Sequence, residues 1–150
     1  MSDNLTPAQA SHAPEGFVMQ PWERGFGRTT GPFYALTTAD GRSRMGFRVL
    51  EHHANGMNNC HGGMLVSFAD MAWGHQLFRS RENTMWVTVR LVTDFLSGGQ
   101  MGDWLEGDSE VLSEQGDMVT VRGRIWCGER TVMTGTAVYK ALPVRAEASA

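Results

Sequence analysis

The chain has 150 residues, 41% hydrophobic and 19% charged, with a formal net charge of −3. That composition suits one globular domain with a real core, and the slightly acidic balance gives no bulk reason to expect a nucleic-acid partner. No run approaches the roughly 18 apolar residues of a membrane span, and the opening Met1-Ser2-Asp3-Asn4 lacks a basic and then apolar leader, so no membrane association and a cytoplasmic location are expected.

Residues 1–15 are rich in Ser, Pro, Ala and Gln and read as a flexible tail. Gly16 to Thr30 carries Phe17, Met19, Trp22 and Phe26 and reads as a short helix or ordered arm. Phe33 to Thr38 reads as a strand, Asp40-Gly41 as the tight turn of a hairpin, and Ser43 to Glu51 as its return. Glu51 to Cys60 is a polar connection. His61 begins a long apolar helix running to about Arg81. Met85 to Phe95 alternates, with Val87, Val89 and Leu91 opposing Thr88, Arg90 and Val92. Asp103 to Leu112, Met118 to Cys127 and Thr131 to Leu142 follow as strands, and 143–150 read as a second tail. One domain over 16–142 is expected, of α+β class: an antiparallel sheet wrapped around one long central helix.

Asp70 is the only charged side chain between His61 and Arg79. Apolar residues occupy nearly every side of the helix around it, which predicts burial all round. A carboxylate there is costly unless it is hydrogen-bonded, protonated or put to chemical use. At the helix start, Gly62 and Gly63 let a ligand approach the backbone, and the unpaired N–H groups of a first turn favour negative charge. Donors and an acid on one helix are two parts of acyl-transfer chemistry. The structural alternative is an acid satisfied by a backbone N–H or an arginine.

Other residues read less sharply. His52, His53, His61 and Cys60 crowd together without metal-ligand spacing, so no metal is expected. Cys60 and Cys127 read as a reduced pair. Asn55-Gly56 is a common turn pair. Phe33 and Tyr34 either pack a strand or line an acyl pocket. Arg42, Arg44 and Arg48, with Arg122, Arg124 and Arg130, make a solvated sheet face or a landing site for a phosphorylated ligand. No serine sits in a nucleophile elbow, which removes the usual serine-hydrolase reading.

Asn55, His61-Gly62-Gly63, Asp70 nine residues after His61, and a following strand with Thr88 together resemble the hotdog-fold acyl-CoA thioesterases of the phenylacetate-pathway (PaaI-like) type. The resemblance spans roughly residues 31–141. It implies a hotdog fold and hydrolysis of an acyl-CoA thioester, with Asp70 as general base or nucleophile and the Gly62 N–H as oxyanion donor. Asn55 would orient water or thioester, His61 would lead the helix, and Gly63 would lie against substrate. Thr88 aligns with a Ser or Thr that reaches the site from the neighbouring subunit. Two copies are expected to pair edge to edge as a homodimer, or as a tetramer built from two such dimers. Coenzyme A would enter as part of the substrate, with no separate cofactor. A non-catalytic ligand-binding or assembly module, and a hydratase or dehydratase on the same fold, are the competing functions.

Overall fold

The computed structural model describes residues 12–144, so most of both expected tails lies outside the described residues. Gly16 to Thr30 forms a strand and a helix rather than one element: β1 (Val18–Gln20) and α1 (Phe26–Thr30). The hairpin follows as β2 (Phe33–Thr37) and β3 (Ser43–Arg48), joined through Gly41 at φ 80°. That positive φ is what a glycine at a tight turn permits. A single 3₁₀ turn at Glu51–His53 interrupts the polar connection. The central helix α2 covers Gly62–Phe78 and is followed by β4 (Thr84–Phe95), β5 (Trp104–Gln115), β6 (Met118–Cys127) and β7 (Arg130–Pro143). The helix stops three residues short of the expected end, where the Ser80 hydroxyl and N–H both bond to the Leu77 carbonyl and compete with the next helical turn.

The strands make one antiparallel sheet in the order β1-β2-β3-β5-β6-β7-β4. β4 follows the helix in sequence yet sits at the far edge, paired with β7 on one side only. The sheet curls around α2, whose Leu65, Phe68, Ala69, Ala72, Trp73 and Leu77 are buried against Phe33, Phe47, Leu105, Val121, Ile125 and Met133. Trp73 is the deepest anchor. It fits because Gly123 and Gly135 face one another on β6 and β7; a Cβ at Gly123 would lie 2.2 Å from the indole. The indole N–H donates to the Arg124 carbonyl at 3.2 Å, which removes the penalty of burying it unpaired.

The expectation that α2 is buried all round is corrected here. Gly62, Val66, Ser67, Asp70, Met71, His75 and Gln76 are only half-buried, and Gly63 is exposed. The sheet covers one side of the helix and ends at the β4 edge, so the opposite stripe faces outward within a single chain. Among the described residues no helix is long and apolar enough to cross a membrane.

Candidate active site

The start of α2 is held by its own N-cap. His61 Nδ1 accepts the Gly63 N–H at 2.9 Å, and the His61 carbonyl accepts those of Met64 and Leu65 at 2.9 and 3.0 Å. A helix leaves its first N–H groups without intrahelical partners. Here Gly63, Met64 and Leu65 are satisfied, and Gly62 retains the one N–H of the first turn with no acceptor among the described residues. Accepting at Nδ1 places the proton of a neutral His61 on Nε2. His61 is itself fixed from behind, its N–H donating to the His53 carbonyl at 2.8 Å.

His53 braces this corner. Its Nδ1 accepts the Leu50 N–H at 3.0 Å and its Nε2 bonds the Thr30 carbonyl at 2.6 Å, while the ring stands edge-on to Phe47. Burial, with the neighbouring His52 as a lesser cause, holds its pKa below the ordinary imidazole value. His52 Nε2 bonds the Gly31 carbonyl at 2.8 Å. The histidines thus brace the backbone, and among the described residues no three His, Cys, Asp or Glu side chains gather as a metal would require. Cys60 is buried and its thiol is pushed up to about 12, so it is an inert core residue rather than a nucleophile.

Asp70 lies on the half-buried stripe two turns further along. Its Oδ1 accepts the Thr88 hydroxyl at 2.6 Å, and its main-chain carbonyl accepts the Tyr139 hydroxyl at 2.8 Å. No arginine or lysine pairs with it among the described residues. Oδ2 has no partner there either, so one oxygen is held and the other is open.

The position of Thr88 corrects one expectation. Simple alternation sets Thr88 apart from Val87, Val89 and Leu91 and leaves it away from the acid within one chain. The structure instead joins Thr88 to Asp70 of the same chain. The reason is a β-bulge: Arg90 pairs with Val138 and Thr88 with Tyr139, which leaves Val89 as an extra residue. Cross-strand partners share a face. Tyr139 faces the helix, so Trp86, Thr88 and Leu91 face it too, while Val87 joins Lys140 on the outside.

The remaining sequence candidates divide. Asn55 lies in the loop before α2, where its Oδ1 accepts the N–H groups of Met57 and Asn59 at 2.9 and 3.3 Å. Its oxygen organises the turn, and its amide NH₂ has no partner among the described residues. Gly63 and His61 line a cavity of about 290 Å³ with Met64, Ser67, Phe26 and Thr30. Phe33 and Tyr34 are not part of it. Neighbours on a strand point to opposite faces: Phe33 goes into the core, stacked on Phe68, and Tyr34 goes to Trp104. Of the arginine patches, Arg44, Arg122, Arg124 and Arg130 are paired with Glu106, Glu110, Asp108 and Asp103, the pattern of a solvated sheet face.

A profile described as Thioesterase superfamily matches residues 57–134, which contain the helix start, Asp70 and Thr88. A Pseudomonas aeruginosa relative named as an esterase is 34% identical over 131 residues, covering 85% of this chain and 96% of its own. The chain belongs to the thioesterase superfamily. This thioesterase-family chain also shares its fold with solved structures. A Bacillus halodurans protein crystallised with CoA matches at TM-score 0.68 and 24% identity, covering 74% of each chain. The E. coli PaaI protein of the phenylacetic acid degradation operon matches at TM-score 0.61 and 22% identity, covering 73% of this chain and 72% of its own. The hotdog architecture is thereby shown, and membership makes the chain a hydrolase.

Proposed function

We propose that the protein hydrolyses acyl-CoA thioesters in a site built from two copies of the chain. One observation carries the reading. The open N–H of Gly62 and the open oxygen of Asp70 are the two groups the chemistry needs, yet they stand eight residues apart on one helix. At 1.5 Å per residue that is about 12 Å, too far for both to act on one carbonyl. A second copy brings the partner subunit's Asp70 to the Gly62 of the first.

The free edge of β4 supplies the seam. It runs for twelve residues and exposes Met85, Val89 and Val92, an edge that a soluble protein covers by pairing. The half-buried stripe of α2 lies on the same side of the molecule as the Thr88–Asp70 contact. A two-fold pairing there gives two equivalent sites. A dimer, or a tetramer of two such dimers, is the assembly this reading requires.

In the proposed reaction the thioester carbonyl oxygen rests on the Gly62 N–H, at the positive end of the helix dipole. Thr88 holds Oδ1 of Asp70, leaving Oδ2 to take a proton from water. The resulting hydroxide attacks the carbonyl carbon, and the oxyanion collapses with cleavage of the C–S bond. Coenzyme A leaves as thiolate and the acid product carries the new oxygen. Asp70 passes its proton to the leaving sulfur or to solvent. No metal or further cofactor enters. The binding of CoA by the Bacillus halodurans neighbour supports the choice of thiol, and the free thiols of Cys60 and Cys127 agree with a cytoplasmic setting.

The test is thiol release from a panel of acyl-CoAs by wild type and Asp70→Asn. At least one substrate should be turned over, and the substitution should lower kcat by about 10²-fold or more. Equal turnover by the two proteins ends the proposal.

A further inference from the structure

Asp70 is gripped at two places by one pair of sheet residues. Thr88 and Tyr139 are cross-strand partners. Thr88 donates to the carboxylate and Tyr139 to the main-chain carbonyl of the same residue. A carbonyl oxygen has two lone pairs, so the phenol bonds there without displacing the helical N–H. Tyr139 is 2% exposed and its ring lies on Gly74, one turn beyond Asp70; a Cβ at Gly74 would come within 3.2 Å of it. Glycine is among the poorest residues for a helix interior. Here it lets the ring approach closely enough for the hydroxyl to reach the Asp70 carbonyl.

The pairing depends on the bulge. Without Val89 as an extra residue, Thr88 would share the outer face with Arg90, and Tyr139 would have another partner. We infer that Tyr139 is a positioning residue for the catalytic carboxylate: with Thr88 it forms a clamp that fixes where Asp70 sits on the sheet and which way its carboxylate points. Burial, and secondarily the charge of Asp70, raise the pKa of the phenol, so it remains a hydrogen-bond donor throughout the working range. Tyr139 touches no reacting atom. Its effect is carried entirely through Asp70, and the inference therefore rests on the hydrolytic role proposed for that residue.

Tyr139→Phe removes the hydroxyl and keeps the ring. It should lower kcat by about tenfold, the scale of one net hydrogen bond, and leave KM within about twofold. In an Asp70→Asn background the same substitution should cost nothing further, because the group being positioned is gone. A second readout needs no activity. The Hα–Hβ scalar couplings of Asp70 report its side-chain rotamer, which should be single in wild type and averaged in Tyr139→Phe. If wild type hydrolyses no thioester, the proposed function falls and the couplings alone decide the clamp. Unchanged couplings overturn the inference. So does an unchanged kcat in an active enzyme, or a tenfold loss that persists on top of Asp70→Asn.

Discussion

Replacing Gly62 with proline isolates the proposed oxyanion donor more cleanly than an acid substitution isolates a base. Gly62 is the first residue of α2, where proline is readily accommodated because its missing N–H has no helical partner. The residue before a proline must be extended, and His61 already has φ −59° and ψ 137°. The fold should therefore tolerate Gly62→Pro while the one N–H of the first turn left open among the described residues disappears. Loss of one oxyanion donor corresponds to about 10²–10³ in kcat, or roughly 3–4 kcal/mol of transition-state stabilisation. Gly62→Ala is the control. It keeps the N–H, and its Cβ would lie 3.4 Å from the Phe95 ring, an ordinary contact. Thiol release should show the alanine variant within about fivefold of wild type, a loss of about 1 kcal/mol, with far-UV circular dichroism unchanged in both. A proline variant that keeps a tenth of the wild-type kcat, or an alanine variant as damaged as the proline, would refute the assignment.

Two further predictions concern proton chemistry. His53 accepts a main-chain N–H at Nδ1, so protonation there would set two donors face to face; its folded pKa is depressed by burial. Its contribution to stability is complete above the unfolded value and is lost as pH falls from about 6.5 through the folded value. Melting temperature should thus decline on acidification, and the decline should flatten in His53→Gln; identical slopes would dismiss the brace. The second separates base from nucleophile. In a single turnover in ¹⁸O-water, general-base attack puts the label in the product acid. An anhydride opened by water at the Asp70 carbonyl puts it first in Asp70, where mass spectrometry would find it.

Much of the fold was legible because its signals are local. Alternation marked the long strands, Asp40-Gly41 marked the hairpin, and the continuous apolar run from Met64 marked the central helix. The candidate site was read from spacing: Asn55, His61-Gly62-Gly63 and Asp70. What stayed hidden depends on pairing between distant segments. The Val89 bulge leaves no mark in composition, yet it turns Thr88 toward Asp70 and reverses the face expected for Val87. Tyr139 looked like one more residue of an alternating strand, and only its register opposite Thr88 shows what it holds. His53 looked like part of a loose polar cluster, whereas its ring joins two segments about twenty residues apart. The half-exposed stripe of α2 was missed because apolar periodicity reports that a face is covered, not whether its own chain covers it. Phe33 and Tyr34 followed the commoner fate of strand aromatics.

Mixing subunits of two inactive variants reveals whether each site is shared between two copies. Gly62→Pro and Asp70→Asn should each be nearly inactive alone. Dissociated and reassociated together, they form hybrid dimers in which one of the two sites takes its N–H from the Asp70→Asn chain and its carboxylate from the Gly62→Pro chain. Random pairing makes half the dimers hybrid, so about a quarter of wild-type activity should return. A mixture no more active than its separate components, with hybrid dimers demonstrated by mass spectrometry, would rule out the shared site.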